Sequence, residues 1–585
     1  MSHKLSEVVI RNFRSCIDTE LKLSGYTPLI GYNNAGKSNA LTAIQWLLKK
    51  TSFGPKDFFD QQSSVEVIGV VEGISQDLLD QMNASHRASI ENYITDEKLK
   101  IRRVQATPNA KASDIKISVW NDAEQDWVPN PNGIDNALKS LLPEPIRIGA
   151  MENAAEDASK AKSTTTIGKL LAEFLEPVKA AHEVELAGHL GEVSRRISSD
   201  GDMRFGELAV IDQNVNRKID DLFPGMSLKL HFDTPTFDEL IKSGSIKVYE
   251  NQDQGRDFSS YGHGAQRSIQ MALVQYLAEV KRGTGEQLAT TLLLIDEPEL
   301  YLHPFAVEQI RQALLALSQS GYQVILSTHS AQMITSEQAK CSLLIRKNIR
   351  RGTYARARLA DAIQDLVPDS VHQMEQLFSL SHSTQVLFSE QVILTEGKTE
   401  LRLLPYIFEN SSGKTLGQEK FALVEQSGVS DTRKSLDILD AMDLPAKAIV
   451  DLDYAFTRAI RDGLLQETDP DINALKAILQ RLEQEGQITL HTNGLPKKGI
   501  VKASKAFEIL ANEQGSLVHI ENLHNRLKAQ GVWIWTKGAI EAHIGTASKD
   551  ELAWAQFKNS VDLNGLQATC PEPQTLIELV GWLKA

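Results

Sequence analysis

GYNNAGKS at residues 31–38 decides how this chain is read, and TLLLIDEPE at residues 291–299 completes the reading. A glycine, four residues and Gly-Lys-Ser follow the apolar run TPLI and precede NALTAIQWLL at 39–48, where apolar positions recur at helical spacing. The expected order is strand, glycine loop, helix. In that setting the backbone N–H groups from Gly31 through Asn34 and Gly36 to Ser38 cradle an anion at the helix N-terminus, where the dipole also favours negative charge. Lys37 is expected to reach the β- and γ-phosphates of ATP, and Ser38 a Mg²⁺ ion. The second stretch is an apolar strand ending in two adjacent carboxylates. Asp296 is expected to hold Mg²⁺ through water, and Glu297 to orient or deprotonate an attacking water.

The chain has 585 residues, beyond the roughly 250–300 at which a single core stops growing, so several domains are expected. Its apolar share of 42% and charged share of 24% are those of an ordinary globular protein. A net charge of −14 argues against nonspecific coating of nucleic acid. It leaves room for a local basic track and for carboxylates reserved for metal. No stretch approaches the ~18–20 apolar residues of a membrane span, and MSHKLSEVVIRNFRS lacks a signal-peptide core. A cytoplasmic protein with no membrane partner is expected. Cys16, Cys341 and Cys570 are too dispersed for a disulfide framework or a zinc ribbon and read as buried thiols.

Strands are expected at 5–10, 27–31, 64–72 and 98–104, with a hairpin over 117–127, so the first lobe is β-rich. From 167 to 198 the pattern becomes helical, with Leu170, Leu171, Phe174, Leu175 and Val178 on one face. Strands and helices alternate again from 226, ending in VILSTHS at 324–330. The stretch 343–359 reads as a strand, a basic turn with Gly352, and a return strand. These changes set the expected domains: 1–166 and 226–385 as two ATPase lobes, 167–225 as a helical insertion, and 386–585 as a separate α/β domain.

The last third concentrates acids at strand ends. In QVILTEGKTELRLLPYIF (391–408) Glu396 closes an apolar strand, Gly397 turns the chain, and Glu400 stands in the first turn of a helix. In AKAIVDLDYAF (446–456) period-two alternation is expected to send Asp451 and Asp453 to one face. Acids converging there repel one another unless cations lie among them, which suits Mg²⁺ or Mn²⁺. Two metals would activate a water and stabilise the leaving oxygen of a phosphodiester. Lys497, Lys498, Lys502 and Lys505 lie between these segments and VWIWTKGAIEAHIG (532–545), as candidates to guide a DNA backbone.

Adjacent Asp296 and Glu297, with His329 in STHS, resemble the ABC ATPase class. The resemblance makes His329 a switch histidine on the γ-phosphate. SSYGHGAQR at 259–267 resembles a diverged ABC signature, whose Gly262 and Gly264 would close over the nucleotide of a second head. Tyr261 and His263 depart from the usual signature, which implies slow turnover. With IRNFRS at 10–15 the head resembles the RecF and SMC branch. Glu396, then Asp451-x-Asp453 after a glycine turn, resembles the Toprim fold. By that resemblance Lys537 neutralises transition-state charge, Glu541 adds a metal ligand, and Ser504 is a weaker candidate to orient a ligand or water. An ABC head, a helical insertion and a C-terminal Toprim domain together resemble the OLD family of nucleases, similar to the Gabija and retron-associated nucleases. That implies an ATP-regulated, metal-dependent DNA endonuclease of antiphage defence, a homodimer or tetramer through heads and helical insertion, and a helicase or retron component as partner. The alternative is a RecF/SMC-like ATP-dependent scaffold with an inactive Toprim domain.

Overall fold

A computed structural model describes residues 3–142, 145–150, 166–236, 239–240, 246–249, 254–281, 289–334, 336–358, 360–361, 384–426 and 432–585. It divides into two compact units: Met1–Leu29, Gly36–Met333 and Lys347–Thr353 in one, and Ile30–Ala35, Ile334–Arg346 and Tyr354–Ala585 in the other.

In the first unit, strands β1 (Lys4–Phe13), β2 (Cys16–Lys22) and β3 (Tyr26–Ile30) lead through the glycine loop into α1 (Lys37–Leu48). β4 (Val65–Glu72), β5 (Lys98–Gln105), β6 (Ile117–Asn121) and β7 (Asp126–Pro129) extend an antiparallel layer in the order β7-β6-β5-β4-β1-β2. Strict alternation makes these strands one-sided: Val65, Val67, Gly69 and Val71 turn inward and their neighbours outward. A parallel layer follows from β8 (Ile146–Ile148), β9 (Thr291–Asp296) and β10 (Tyr322–Thr328), with β3 beside β10. β9 and β10 are apolar and buried along almost their whole length, as parallel strands covered on both faces must be. Their register pairs Asp296 with Ser327, so both strands end at one edge.

The helical insertion is α2 (Thr166–Ile197) and α3 (Gly206–Leu222). The expected positions Leu170 and Leu171 lie outside the residues whose side chains are described; Phe174 meets Tyr276 on α4 (His263–Lys281) edge-on, with ring centres 5.2 Å apart. Arg204 pairs with Asp212, fastening the turn before α3 to the helix. α5 (Pro304–Ser318) covers β10.

A hairpin of β11 (Leu343–Asn348) and β12 (Gly352–Ala355) forms where a strand, turn and return strand were expected. Arg346 and Arg356 are buried there, both paired with Glu390, so neither is available to a DNA backbone. The second unit holds a four-stranded parallel sheet of β13 (Gln391–Thr395), β14 (Phe421–Glu425), β15 (Ala446–Val450) and β16 (Val532–Ile534), in the order β14-β13-β15-β16. Its core joins Ile393, Ile449, Trp533 and Trp535 to Leu404 and Ile407 of α6 (Lys398–Ser412). The order in which strands are added reverses between β13 and β15, and the crevice beyond the carboxyl ends at such a switch point is where open α/β sheets bind ligands. Glu396 and Asp451 are the first residues past those two ends.

Candidate functional sites

The glycine loop is shaped by two left-handed residues, Asn34 (φ 66°) and Gly36 (φ 105°). A Cβ on Gly36 would stand 2.1 Å from Thr353 Oγ1, and one on Gly31 would stand 2.4 Å from the Ile345 carbonyl. Both glycines are thus required by close approach, and the tight loop delivers Lys37 and Ser38 to the first turn of α1. Ser38 Oγ donates to Asp296 Oδ1 (3.1 Å), which also accepts from Ser327 Oγ (2.8 Å). Lys37 Nζ lies 2.8 Å from His329 Nε2, and the same imidazole is 3.3 Å from Glu297. Burial and the neighbouring Lys37 ammonium hold His329 below the ordinary histidine range. Lys37, Ser38, Asp296, Glu297 and His329 therefore meet at the ends of β9 and β10.

Glu297 occupies the left-handed region (φ 46°), which a residue with a Cβ adopts at a cost of about 1 kcal/mol or more. Arg267, buried on α4, donates to the carbonyls of both Asp296 and Glu297 (2.6 and 2.8 Å) and to that of Gly149 (3.1 Å), holding this turn in place. Arg147 on β8 pairs with Asp296. Glu299 accepts from Thr328 Oγ1 and the His329 amide (2.7 and 2.8 Å), fastening the histidine loop. None of Arg147, Arg267 and Glu299 was singled out from the sequence; only the short spacing of Glu299 from Asp296 offered a signal. Gly262 and Gly264 open α4, and a Cβ on Gly262 would meet nothing within 4 Å. Beside the loop, Asn39 donates to Ser15 Oγ (2.8 Å), and Ser15, Arg14, Lys56, Phe58 and Lys347 line a cavity of about 500 Å³.

The second constellation lies wholly in the second unit. Glu396 accepts from the Asp451 amide (2.9 Å), tying the ends of β13 and β15 together. Glu400, in the first turn of α6, is buried and accepts from Trp535 Nε1 (3.0 Å). Glu541, on α10 once α7 (Pro470–Gln484), α8 (Ala503–Asn512) and α9 (Ser516–Lys528) have intervened, accepts from Thr399 Oγ1 (2.6 Å) on α6; α10 spans Ile540–Ile544. Asp451 and Asp453 do not share a strand face as the alternation predicts. β15 ends at Val450, Asp451 caps a 3-10 turn over Leu452–Phe456, and Asp453 sits within that turn.

Burial, with Asp453 nearby, pushes Glu396 up to about 7, and burial chiefly does the same to Glu400. Asp451 is raised well above the carboxylate range by burial and by Glu396, and Asp453 is raised by burial. The second oxygen of Glu541, Oε2, is buried as well. Buried acids this close to one another favour a cation among them, and their oxygens are of the hard type that divalent ions take. Among the described residues no three donors already converge as a preformed metal cage. A lysine lies among them instead: Lys549 Nζ is 3.3 Å from Glu541 Oε2 and 3.6 Å from Asp451 Oδ2.

Lys537 is placed differently, with Nζ 3.8 Å from Glu572 and its amide donating to His543 Nε2 (3.2 Å). The Lys537-Gly538 turn still borders the acids, since the Leu452 amide donates to the Gly538 carbonyl (2.8 Å). Lys498, Lys502 and Lys505 are exposed, Lys497 is half-buried, and Lys505 pairs with Glu508 on α8. Ser504 is exposed at the start of the same helix. α8 lies against the site's edge, because a Cβ on Gly538 would touch Glu508 at 2.9 Å.

An ATPase head with a Toprim-type carboxylate edge defines a class: nucleases that carry an ATP-binding domain, with ATP and a divalent metal as cofactors. A family model described as an AAA domain, putative AbiEii toxin, Type IV TA system matches residues 27–334, and one described as an Overcoming lysogenization defect protein-like TOPRIM domain matches 387–453. The chain is 39% identical over 557 residues to the Old nuclease of Escherichia phage P2, covering 94% of each protein. It is 23% identical to the OLD nuclease of Thermus scotoductus (77% of this chain, 82% of the relative) and 20% identical to Endonuclease GajA of Bacillus cereus strain VD045 (69% and 68%). The chain belongs to the OLD nuclease family. No helix among the described residues is long and apolar enough to cross a membrane.

Proposed function

We propose that this OLD-family nuclease cuts DNA with Mg²⁺ or Mn²⁺ held by Glu396, Glu400, Asp451, Asp453 and Glu541, and that ATP bound at the head controls the cutting. The observation that carries this reading is the gathering of buried acids at a parallel-sheet switch point, where the Asp451 amide donates to Glu396, Thr399 holds Glu541 and Trp535 holds Glu400. Divalent ions held there, two in the full form of this reading, would supply the charge that activates water and neutralises the phosphodiester. Glu396 and Asp451 would orient the attacking water, and Lys537 would meet the developing charge from the Gly538 turn. Lys497, Lys498, Lys502 and Lys505 draw the DNA backbone toward the acids.

In the head, Gly31, Asn34, Gly36 and Lys37 bind phosphates, while Ser38 and Asp296 hold Mg²⁺. Glu297 orients the attacking water, His329 senses the γ-phosphate, and Gly262 and Gly264 engage the nucleotide of a second head. The cavity beside Ser15 takes the nucleoside end. The protein acts in the cytoplasm in antiphage defence, as a homodimer or tetramer joined through heads and the helical insertion, with a helicase or retron component as an accessory. The domains follow the boundaries read from the sequence. Nicking of supercoiled plasmid is the test: pure protein is expected to cut with Mg²⁺ or Mn²⁺, not with EDTA, and Asp451→Ala not at all. Equal cutting by Asp451→Ala would remove the assignment.

A further inference from the structure

Lys549 stands in the loop between α10 and α11 (Glu551–Asn564), and both ends of that loop are tied down. Gly545 closes α10 in the left-handed conformation (φ 77°), and Asp550 caps α11 by accepting from the Ala553 amide (2.9 Å). The four residues between them carry Lys549 over the carboxylates. Its ammonium meets Glu541 Oε2 at 3.3 Å and Asp451 Oδ2 at 3.6 Å. Its charge also acts on Glu396, Glu400 and Asp453, whereas Arg458 acts on Glu396 and Asp453.

A divalent ion binds carboxylate oxygen at about 2.0–2.6 Å, so an ammonium and a metal ion on the same two oxygens would bring two cations into near contact. They exclude each other. The lysine side chain is 56% exposed, so its flexible stem has room to swing outward. We propose that Lys549 is a built-in counter-cation of the carboxylate site: it competes with the divalent metal for Asp451 and Glu541 and thereby sets the metal concentration at which the site loads. The inference rests on the reading that these acids hold metal. In the structure the ammonium already spans two of the acids. Lys549 is here a positioning residue, acting through the site's loading.

Calorimetric titration of the full chain with Mn²⁺, without nucleotide, tests it, with Asp451→Ala as the blank that isolates this site from the head. Wild type is expected to show a site that Asp451→Ala lacks. Lys549→Gln and Lys549→Met are expected to bind Mn²⁺ there about tenfold tighter or more, the scale on which one charge within ~4–6 Å shifts an ionic equilibrium. Lys549→Arg, which keeps the charge, should stay within about threefold of wild type. In EDTA, Lys549→Gln should melt below wild type, and saturating Mn²⁺ should close the gap. A merely structural lysine would not tighten metal binding when removed. Unchanged or weaker Mn²⁺ binding in both neutral variants overturns the counter-cation role and leaves the metal site standing. Absence of any Asp451-dependent site in wild type overturns the metal reading itself.

Discussion

Asp451 and Glu400 are both buried acids, yet they are held in different ways, and the difference shapes what their substitutions should do. Glu400 accepts from Trp535, so Glu400→Gln keeps a neutral acceptor for the indole and leaves packing intact. Asp451→Asn likewise keeps its amide on Glu396. Both variants should fold, bind ATP as wild type does, and lose cleavage by about a hundredfold or more, since each removes charge that the proposed metal site needs. Plasmid cutting alongside nucleotide binding separates the effects; wild-type cutting by either would release that residue from its role. At the head, Lys37→Ala should weaken ATP binding. Glu297→Gln should keep binding and stop hydrolysis, because the Glu297 amide still meets Ser327 and Arg267 still holds the Glu297 carbonyl. Equal loss of affinity in the two would count against Glu297 as the water-orienting group.

At the scale of elements, the glycine loop and the start of α4 make opposite demands of their glycines. Gly36→Ala forces a Cβ against Thr353 at a positive φ and should cost about 1–3 kcal/mol of stability as well as ATP affinity. Gly262→Ala meets no atom, so its melting should stay within about 0.5 kcal/mol of wild type. Any ATPase loss in Gly262→Ala then reports the signature's role and not folding, and thermal melts with turnover assays read both. In the second unit, α9 packs on β16 through His524, whose Nδ1–H donates to the Ile534 carbonyl (2.9 Å) and whose ring meets Trp533 edge-on. Burial holds this imidazole below the ordinary histidine pKa. Its contribution to stability is therefore complete above the unfolded value of about 6.5 and is lost as pH falls below that toward the folded value. Denaturant melts of His524→Gln between pH 7.5 and 5 should show a flatter acid limb than wild type; identical limbs would mean another group sets it.

For the molecule as a whole, the expectation is that ATP controls cleavage and does not drive it, because metal-assisted phosphodiester hydrolysis is downhill and needs positioning only. Part of the nucleotide loop belongs to the same compact unit as the Toprim sheet. There the Lys420 ammonium lies 4.3 Å from the centre of the Tyr32 ring, at the loop's tip, and the Glu390 amide donates to the Lys420 carbonyl (2.8 Å) just before β13 runs to Glu396. Titrating ATP and a non-hydrolysable analogue at constant free Mg²⁺ should change the cleavage rate of wild type, and Lys37→Ala should blunt the effect. A rate indifferent to both nucleotides would sever the two activities.

What the sequence determined by itself was whatever depends on neighbours along the chain. The strand–loop–helix around Lys37, the strand ending at Asp296 and Glu297, and the placement of Glu396 and Glu400 about a glycine turn all follow from local spacing, and each forms where expected. The reading of Asp451 and Asp453 as one strand face went astray because alternation does not say where a strand stops, and a 3-10 turn begins at that point. Tertiary structure alone decided the rest. Arg147 reaches Asp296 across 149 positions, and Glu541 reaches Thr399 across 142, pairings made by sheet register and helix packing that no periodicity encodes. Lys549 had no motif to mark it; it meets the acids from a loop held between the ends of two capped helices. Arg346, in the strand before the basic turn, is buried, and Glu390 and backbone carbonyls compensate its charge. Local sequence selects the elements, and the compensation of charge across distant segments selects which side chains become the site.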